Sequence, residues 1–85
     1  SALGLEMLAM LYGLTLAERR VLGGLLAEDA PRQIAAINGV AVSTVRTQVA
    51  ALRAKFGVQR LEDVTRLVAE MPPLVSALRD QSLQR

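Results

Sequence analysis

Apolar residues recur at intervals of three and four along most of this chain, a spacing typical of helices that bury one face. The pattern predicts a helix over residues 2–12, a second after Thr15, a third over 31–38, a fourth over about 42–56 and a fifth over about 60–70. A weaker pattern over 74–81 fits one or two helical turns. The sequence therefore predicts an all-α fold, a small helical bundle of four core helices preceded by a short N-terminal helix.

Residues with strong capping or turn preferences mark where these helices begin and end. In TLAE, the Thr15 hydroxyl can accept from the Glu18 amide while the Glu18 carboxylate accepts from the Thr15 amide, which forms a capping box. Pro31 suits the first position of a helix, because its missing N–H costs nothing there. The predicted helix stops are Gly13, Asn38-Gly39, Gly57 and Pro72-Pro73.

The same periodicity assigns inward-facing residues to each helix. We expect Leu3, Met7, Met10, Leu11 and Leu14 to face inward from the first helix, Leu16, Val21, Leu22, Leu25 and Leu26 from the second, Ile34, Ala35 and Ile37 from the third, Val45, Val49, Leu52 and Phe56 from the fourth, and Leu61, Val64, Leu67 and Val68 from the fifth, with Val40 filling the turn before the fourth. Gly23 and Gly24 inside the second helix indicate close approach of a neighbouring helix.

Composition limits the chemistry available to this chain of 85 residues, which is long enough for one small domain. It has no Cys and no His, so disulfides, thiolate sites and histidine-based metal sites or acid–base catalysis lose their usual residues. One Tyr, one Phe and no Trp leave no aromatic platform for stacking single-stranded bases. We expect neither an enzyme nor a cofactor, and a chain without Cys suits the reducing cytoplasm.

The longest apolar stretch, residues 2–14, is too short to span a bilayer and contains Glu6. It also lacks the basic leader and cleavage site of a signal peptide. Ser1 stands where a Met is usual, so we expect the chain to be a piece of a longer protein.

The net charge of +2 conceals an uneven distribution of charged residues. Between residues 30 and 61 there are five bases and no acid, and all eight acids lie outside that segment. The five bases are Arg32, Arg46, Arg53, Lys55 and Arg60. Such a local excess is typical of a surface that binds a polyanion. A solvated helix face is the alternative interpretation.

The third and fourth helices, joined by a short turn at Asn38-Gly39, predict a helix-turn-helix. At about 100° per residue, the outward centre of the fourth helix consists of small side chains, with cations along both sides. Those small residues are Ser43, Thr47, Ala50 and Ala54. A helix of this kind can enter the major groove while its edges reach phosphates.

Three stretches resemble the LuxR-type, or GerE-like, helix-turn-helix domain: LTLAERRVL (14–22), RQIA (32–35) and TVRTQVAALRAKFGV (44–58). The resemblance implies a DNA-binding domain over residues 14–71, preceded by a connector helix over 1–13 and followed by a tail over 72–85. It also implies that the helix over 42–56 is the recognition helix, that the last core helix serves dimerisation, and that a sensor or regulatory domain precedes the chain. Asn38, Ala41 and Gln48 depart from the family pattern, in which Leu, Ser and His are common.

Roles follow for individual residues. We expect base contacts from Ser43, Arg46, Thr47 and Ala50, phosphate contacts from Arg32, Gln33, Thr44, Gln48, Arg53 and Lys55, and a dimer interface of Val64, Leu67, Val68 and Met71. Arg46 can read guanine through a bidentate contact or meet a phosphate instead. For Thr44 a local backbone cap is the alternative role, and for the dimer residues it is the core.

The sequence thus predicts sequence-specific binding of double-stranded DNA by the output domain of a bacterial transcription regulator that acts as a homodimer. The alternative is a helix-turn-helix scaffold that binds proteins and no DNA, which the modest net charge and the departures at Asn38 and Ala41 favour.

Overall fold

The computed structural model describes residues 2–69, with side chains described from Glu6 onward. All regular structure in this part of the chain is helical. The five helices are α1 (Ala2–Tyr12), α2 (Leu16–Leu26), α3 (Pro31–Asn38), α4 (Val42–Phe56) and α5 (Leu61–Ala69). The five predicted helices are therefore confirmed, whereas the predicted turns over 74–81 and the break at Pro72-Pro73 lie outside the described residues.

Side chains accept hydrogen bonds from backbone amides at the N-termini of α2 and α3. Thr15 Oγ1 accepts from the Glu18 amide at 3.1 Å, and Glu18 Oε1 accepts from the Thr15 amide at 2.9 Å, which confirms the predicted capping box. In α3, Gln33 Oε1 accepts from the Ala30 amide at 2.7 Å, with Pro31 in the first turn. Gln33, predicted at phosphates, thus already has one structural contact through its carbonyl oxygen.

Helix C-termini close through residues in the left-handed conformation. Gly13, Gly39 and Gly57 have φ values of 65°, 67° and 70°, as the predicted stops require. The end of α2 uses Glu28 instead, with φ 63°, and the Asp29 amide donates back to the Gly24 carbonyl at 2.9 Å. A residue other than glycine is unusual at this φ. The end of α2 therefore lacks the glycine that marks the ends of α1, α3 and α4 in the sequence.

The hydrophobic core surrounds α4, which contacts α2, α3 and α5, while α1 packs against α2. Its buried side chains are aliphatic apart from one aromatic ring: Leu8, Val21, Leu22, Leu25, Ile34, Ala35, Val45, Val49, Leu52, Phe56 and Val64. The four residues expected to face inward from α4 are all among them. Since these four fix one face of α4 in the core, the opposite face of the helix is turned to solvent.

Some predicted inward residues are exposed. Among the described side chains of α1 Leu8 is buried, and Leu14 packs partly buried against the core as predicted. Met10 and Leu11 are 84% and 68% exposed, so the prediction was wrong for these two residues. The Leu3 side chain lies outside the described part of the chain. Ile37 is 73% exposed, and Leu16, Leu26 and Val40 are exposed as well. Residues 2–12 are apolar almost all round, so periodicity alone could not select the buried face. The other misplaced residues lie at or near helix ends, where a neighbouring helix covers less of the surface.

Gly24 allows α3 to approach α2 closely, as the paired glycines predicted. A Cβ at Gly24 would lie 2.7 Å from Cγ1 and 3.0 Å from Cδ1 of Ile34, which is buried. These distances are too short for ordinary carbon contacts, so the two helices can pack this way only because residue 24 has no side chain.

Gly24→Ala is expected to destabilise the domain by about 1 kcal/mol, because overpacking costs about 1–3 kcal/mol and the better helix propensity of Ala returns about 1 kcal/mol. In an Ile34→Ala background the clashing carbons are gone, so the same substitution should stabilise instead. Urea unfolding of the four proteins measures both effects. The same sign in both backgrounds would contradict the packing described here.

Candidate nucleic-acid interface

The exposed face of α4 carries all four residues predicted to contact bases. Ser43, Arg46, Thr47 and Ala50 are exposed, and they recur at helical spacing on one side of the helix. Val45, Val49 and Leu52 hold the other side in the core. The side chains at the centre of the exposed face are short, so its middle is open to close approach.

The N-terminus of α4 has no side-chain cap. Ala41 takes the N-cap position with φ −73° and ψ 152°, and its carbonyl accepts from the amides of Thr44 and Val45 at 3.1 and 3.2 Å. The alternative role of Thr44 as a local cap is therefore not observed. No acid lies in the first turn. This end of α4 thus keeps the partial positive charge of a helix N-terminus, which favours an anion.

The cations between residues 30 and 61 differ in whether they already contact other groups of the protein. Arg32 and Arg46 are exposed and pair with no carboxylate among residues 6–69. Arg53 is half-buried and donates from its guanidinium to the Gln59 carbonyl at 3.1 Å. Arg60 pairs with Asp63 at 3.4 Å. Arg32 and Arg46 are therefore the cations most available to a polyanion.

Lys55 has a structural contact that the sequence did not reveal. Its ammonium donates to Glu18 Oε1, in an ion pair, and to the Gly13 carbonyl at 2.8 Å. Glu18 is only 7% exposed, so its carboxylate relies on protein partners. The phosphate contact predicted for Lys55 competes with these two hydrogen bonds, and we assign the residue a structural role.

The pKa of the Glu18 carboxyl lies below its usual value. Burial alone would raise the pKa of its carboxyl, but the hydrogen bonds from Lys55 and from Thr15, with the charge of Lys55, outweigh burial and lower the pKa below its usual value of 4.5. The folded state therefore favours the ionised carboxylate.

This pKa shift predicts a pH dependence of stability. A depressed folded pKa adds stability that is fully present above pH 4.5 and is lost as the pH falls through the folded pKa. Glu18→Gln should therefore cost about 1–2 kcal/mol at neutral pH, and its difference from the wild type should shrink on acidification. Urea unfolding of both proteins over a pH series measures this, and a difference that stays constant into acid would contradict the assignment.

The remaining predicted phosphate-contact residues lie around the same face. Thr44 is exposed and Gln48 is half-buried. The Thr47 hydroxyl donates to the Ser43 carbonyl at 3.1 Å, which orients its methyl group and leaves its oxygen able to accept.

The predicted dimer residues divide into core and surface. Val64 is completely buried within the domain, which is the core role that the sequence left open as its alternative. Leu67 and Val68 are partly buried and pack against the core, which leaves part of each accessible. Met71 lies outside the described residues.

Comparisons of this chain with protein-family models, with curated proteins and with solved structures found no match. Within residues 2–69, none of the helices combines the length and the apolar character needed to cross a membrane.

Proposed function

We propose that this domain binds double-stranded DNA by inserting the exposed face of α4 into the major groove. The observation that carries the proposal is the character of this face. Its centre, around Thr47 and Ala50, consists of small side chains. Arg46 is exposed beside them and pairs with no carboxylate among the described residues. The opposite face of α4 is buried in the core, which keeps this face turned to solvent. The LuxR-type resemblance of the sequence supports the same role, as the output domain of a bacterial transcription regulator in the cytoplasm.

The dimensions of α4 suit this role. An α-helix with its side chains is about 10–12 Å across, and the major groove is about 12 Å wide. The 15 residues of α4 extend over about 22 Å. Long side chains along the centre of the exposed face would hold the helix away from base edges, whereas Ser43, Thr47 and Ala50 do not.

The proposed contacts divide into two classes. Ser43, Arg46, Thr47 and Ala50 meet base edges, and the exposed or half-buried polar residues around them meet the backbone. The backbone contacts are assigned to Arg32, Gln33, Thr44, Gln48 and Arg53, without Lys55. Binding through so few phosphate contacts is weak for one domain, and it weakens further as the salt concentration rises.

Weak binding by one domain favours a homodimer on two half-sites. Half-sites read by paired recognition helices lie about 34 Å apart, one turn of B-DNA. Leu67, Val68 and Met71 remain the proposed contacts between copies. A regulatory module N-terminal to α1 would control the pairing.

Selection of random duplexes at low and moderate salt tests the proposal. The wild type should enrich one sequence motif, and log K for that motif should fall linearly with log salt, with a slope of about −0.9 per neutralised phosphate. Ala50→Glu, on the proposed face, should abolish enrichment. Ala17→Glu makes the same charge change at an exposed position of α2 and should retain enrichment.

A protein-interaction module is the second candidate, favoured by the exposed Met10, Leu11 and Ile37. Such a module should enrich no duplex at either salt concentration. Its binding to a protein partner should vary little with salt, because apolar contacts are not screened.

A further inference from the structure

The C-terminal ends of α1 and α4 are joined by two adjacent contacts. Lys55 donates to the Gly13 carbonyl at 2.8 Å, just after the end of α1. The next residue, Phe56, packs its ring on Tyr12, the last residue of α1, with ring centroids 4.3 Å apart. Lys55 and Phe56 of α4 thus contact Gly13 and Tyr12 at the C-terminal end of α1.

We call the contacts of Lys55 with Gly13 and of Phe56 with Tyr12 the joint, and Glu18 extends it to α2. The same carboxylate oxygen accepts from Lys55 and from the Thr15 amide, so the α2 capping box and the Lys55 ion pair share one atom. Glu18 and Phe56 are both buried. Because Glu18 and Phe56 are buried and Lys55 is hydrogen-bonded to both Glu18 and Gly13, moving the end of α1 breaks contacts unless α4 moves with it.

We propose that Lys55 is a positioning residue, which through Gly13 and Glu18 sets the placement of α4, so that displacement of α1 changes DNA binding. The inference rests on the proposed DNA-binding function. It departs from the role that charge alone gives to Lys55, which is phosphate contact. It also makes α1, whose C-terminal end is fixed to the recognition helix, the route by which a change upstream reaches the DNA-binding face.

Lys55→Met tests the proposal, because it keeps the length of the side chain and removes its N–H donors. The affinity for the selected duplex should fall about fivefold or more, while the slope of log K against log salt stays unchanged. Loss of a phosphate contact would instead reduce that slope by about 0.9. The matched control is Arg53→Met on the same helix, which should reduce the slope and leave the joint intact.

NMR of the free protein reports on the joint directly, since Tyr12 and Phe56 are the only Tyr and Phe in the chain. Lys55→Met and Glu18→Gln should each shift the ring resonances of Tyr12 and Phe56 and the backbone amides of α4, and Arg53→Met should leave the ring resonances unchanged. Both variants must remain folded, which the dispersion of the remaining amides establishes. Glu18→Gln keeps an acceptor for Thr15 and serves if Lys55→Met unfolds.

Two results would overturn the proposal. One is a reduced salt slope for Lys55→Met with unchanged ring and α4 resonances, which makes Lys55 a phosphate contact. The other is no change in affinity or in the spectra. If the wild type binds no duplex, the proposed function fails, and the NMR comparison still decides whether Lys55 positions α4.

Discussion

Leu52→Ala is expected to lower the free energy of unfolding by about 2–5 kcal/mol, the usual cost of truncating a large buried side chain and leaving a cavity. Leu52 is 0% exposed and lies on the buried face of α4, which contacts three other helices. At the usual 0.05–0.15 kcal/mol per residue, an 85-residue domain is stable by about 4–13 kcal/mol. This one substitution therefore removes a large fraction of the total stability, which urea unfolding measures.

Leu11→Ala is the matched control for this experiment. The chemical change is the same, but Leu11 is 68% exposed on α1, so its effect should stay within about 0.5 kcal/mol. Equal losses for the two variants would mean that α4 does not hold its inward face in the core, and the outward assignment of Ser43, Thr47 and Ala50 would fail with it.

Arg46→Ala is expected to weaken binding to the selected duplex by about 5- to 150-fold and to relax the preference at one base pair. The fork of the guanidinium can donate to O6 and N7 of one guanine, a contact worth about 1–3 kcal/mol of discrimination. Arg46 is exposed, and no carboxylate among the described residues competes for it. Fluorescence anisotropy with the selected duplex and with single-base-pair variants measures both effects.

Arg46→Lys separates base reading from phosphate contact, the two roles that the sequence leaves open. Lysine keeps the charge and loses the bidentate fork, so base reading predicts that the salt slope stays while the guanine preference weakens. Arg66→Ala removes one positive charge from α5, where Arg66 pairs with Asp63 at 3.5 Å, and should change neither quantity appreciably. Unchanged binding by Arg46→Ala would remove Arg46 from the interface.

The helices were predictable because their signals are local. Each helix boundary depends on contacts between residues close together in sequence. Helix α2 begins with the capping box of Thr15 and Glu18, and α3 begins at Pro31. Glycines with positive φ follow α1, α3 and α4. The inward face of α4 was predictable because large apolar residues recur at helical spacing on it, whereas polar or small residues occupy most of the other positions.

Long-range contacts and uniformly apolar stretches were not predictable. Apart from Glu6, helix α1 is apolar on all sides, so packing against α2 selects Leu8 for burial. Lys55 reaches Glu18 across 37 positions of sequence, and no spacing rule connects them. On charge alone Lys55 resembles Arg46, yet Lys55 pairs with the buried carboxylate of Glu18 while Arg46 pairs with no carboxylate among residues 6–69.

An NMR titration of the ¹⁵N-labelled domain with the selected duplex tests most directly whether α4 presents the DNA-binding surface. We expect the amide resonances of Ser43, Arg46, Thr47 and Ala50 to shift as duplex is added, while those of the exposed side of α1 stay in place. Shifts confined to Met10, Leu11 or Ile37, or no shift even at low salt, would contradict it.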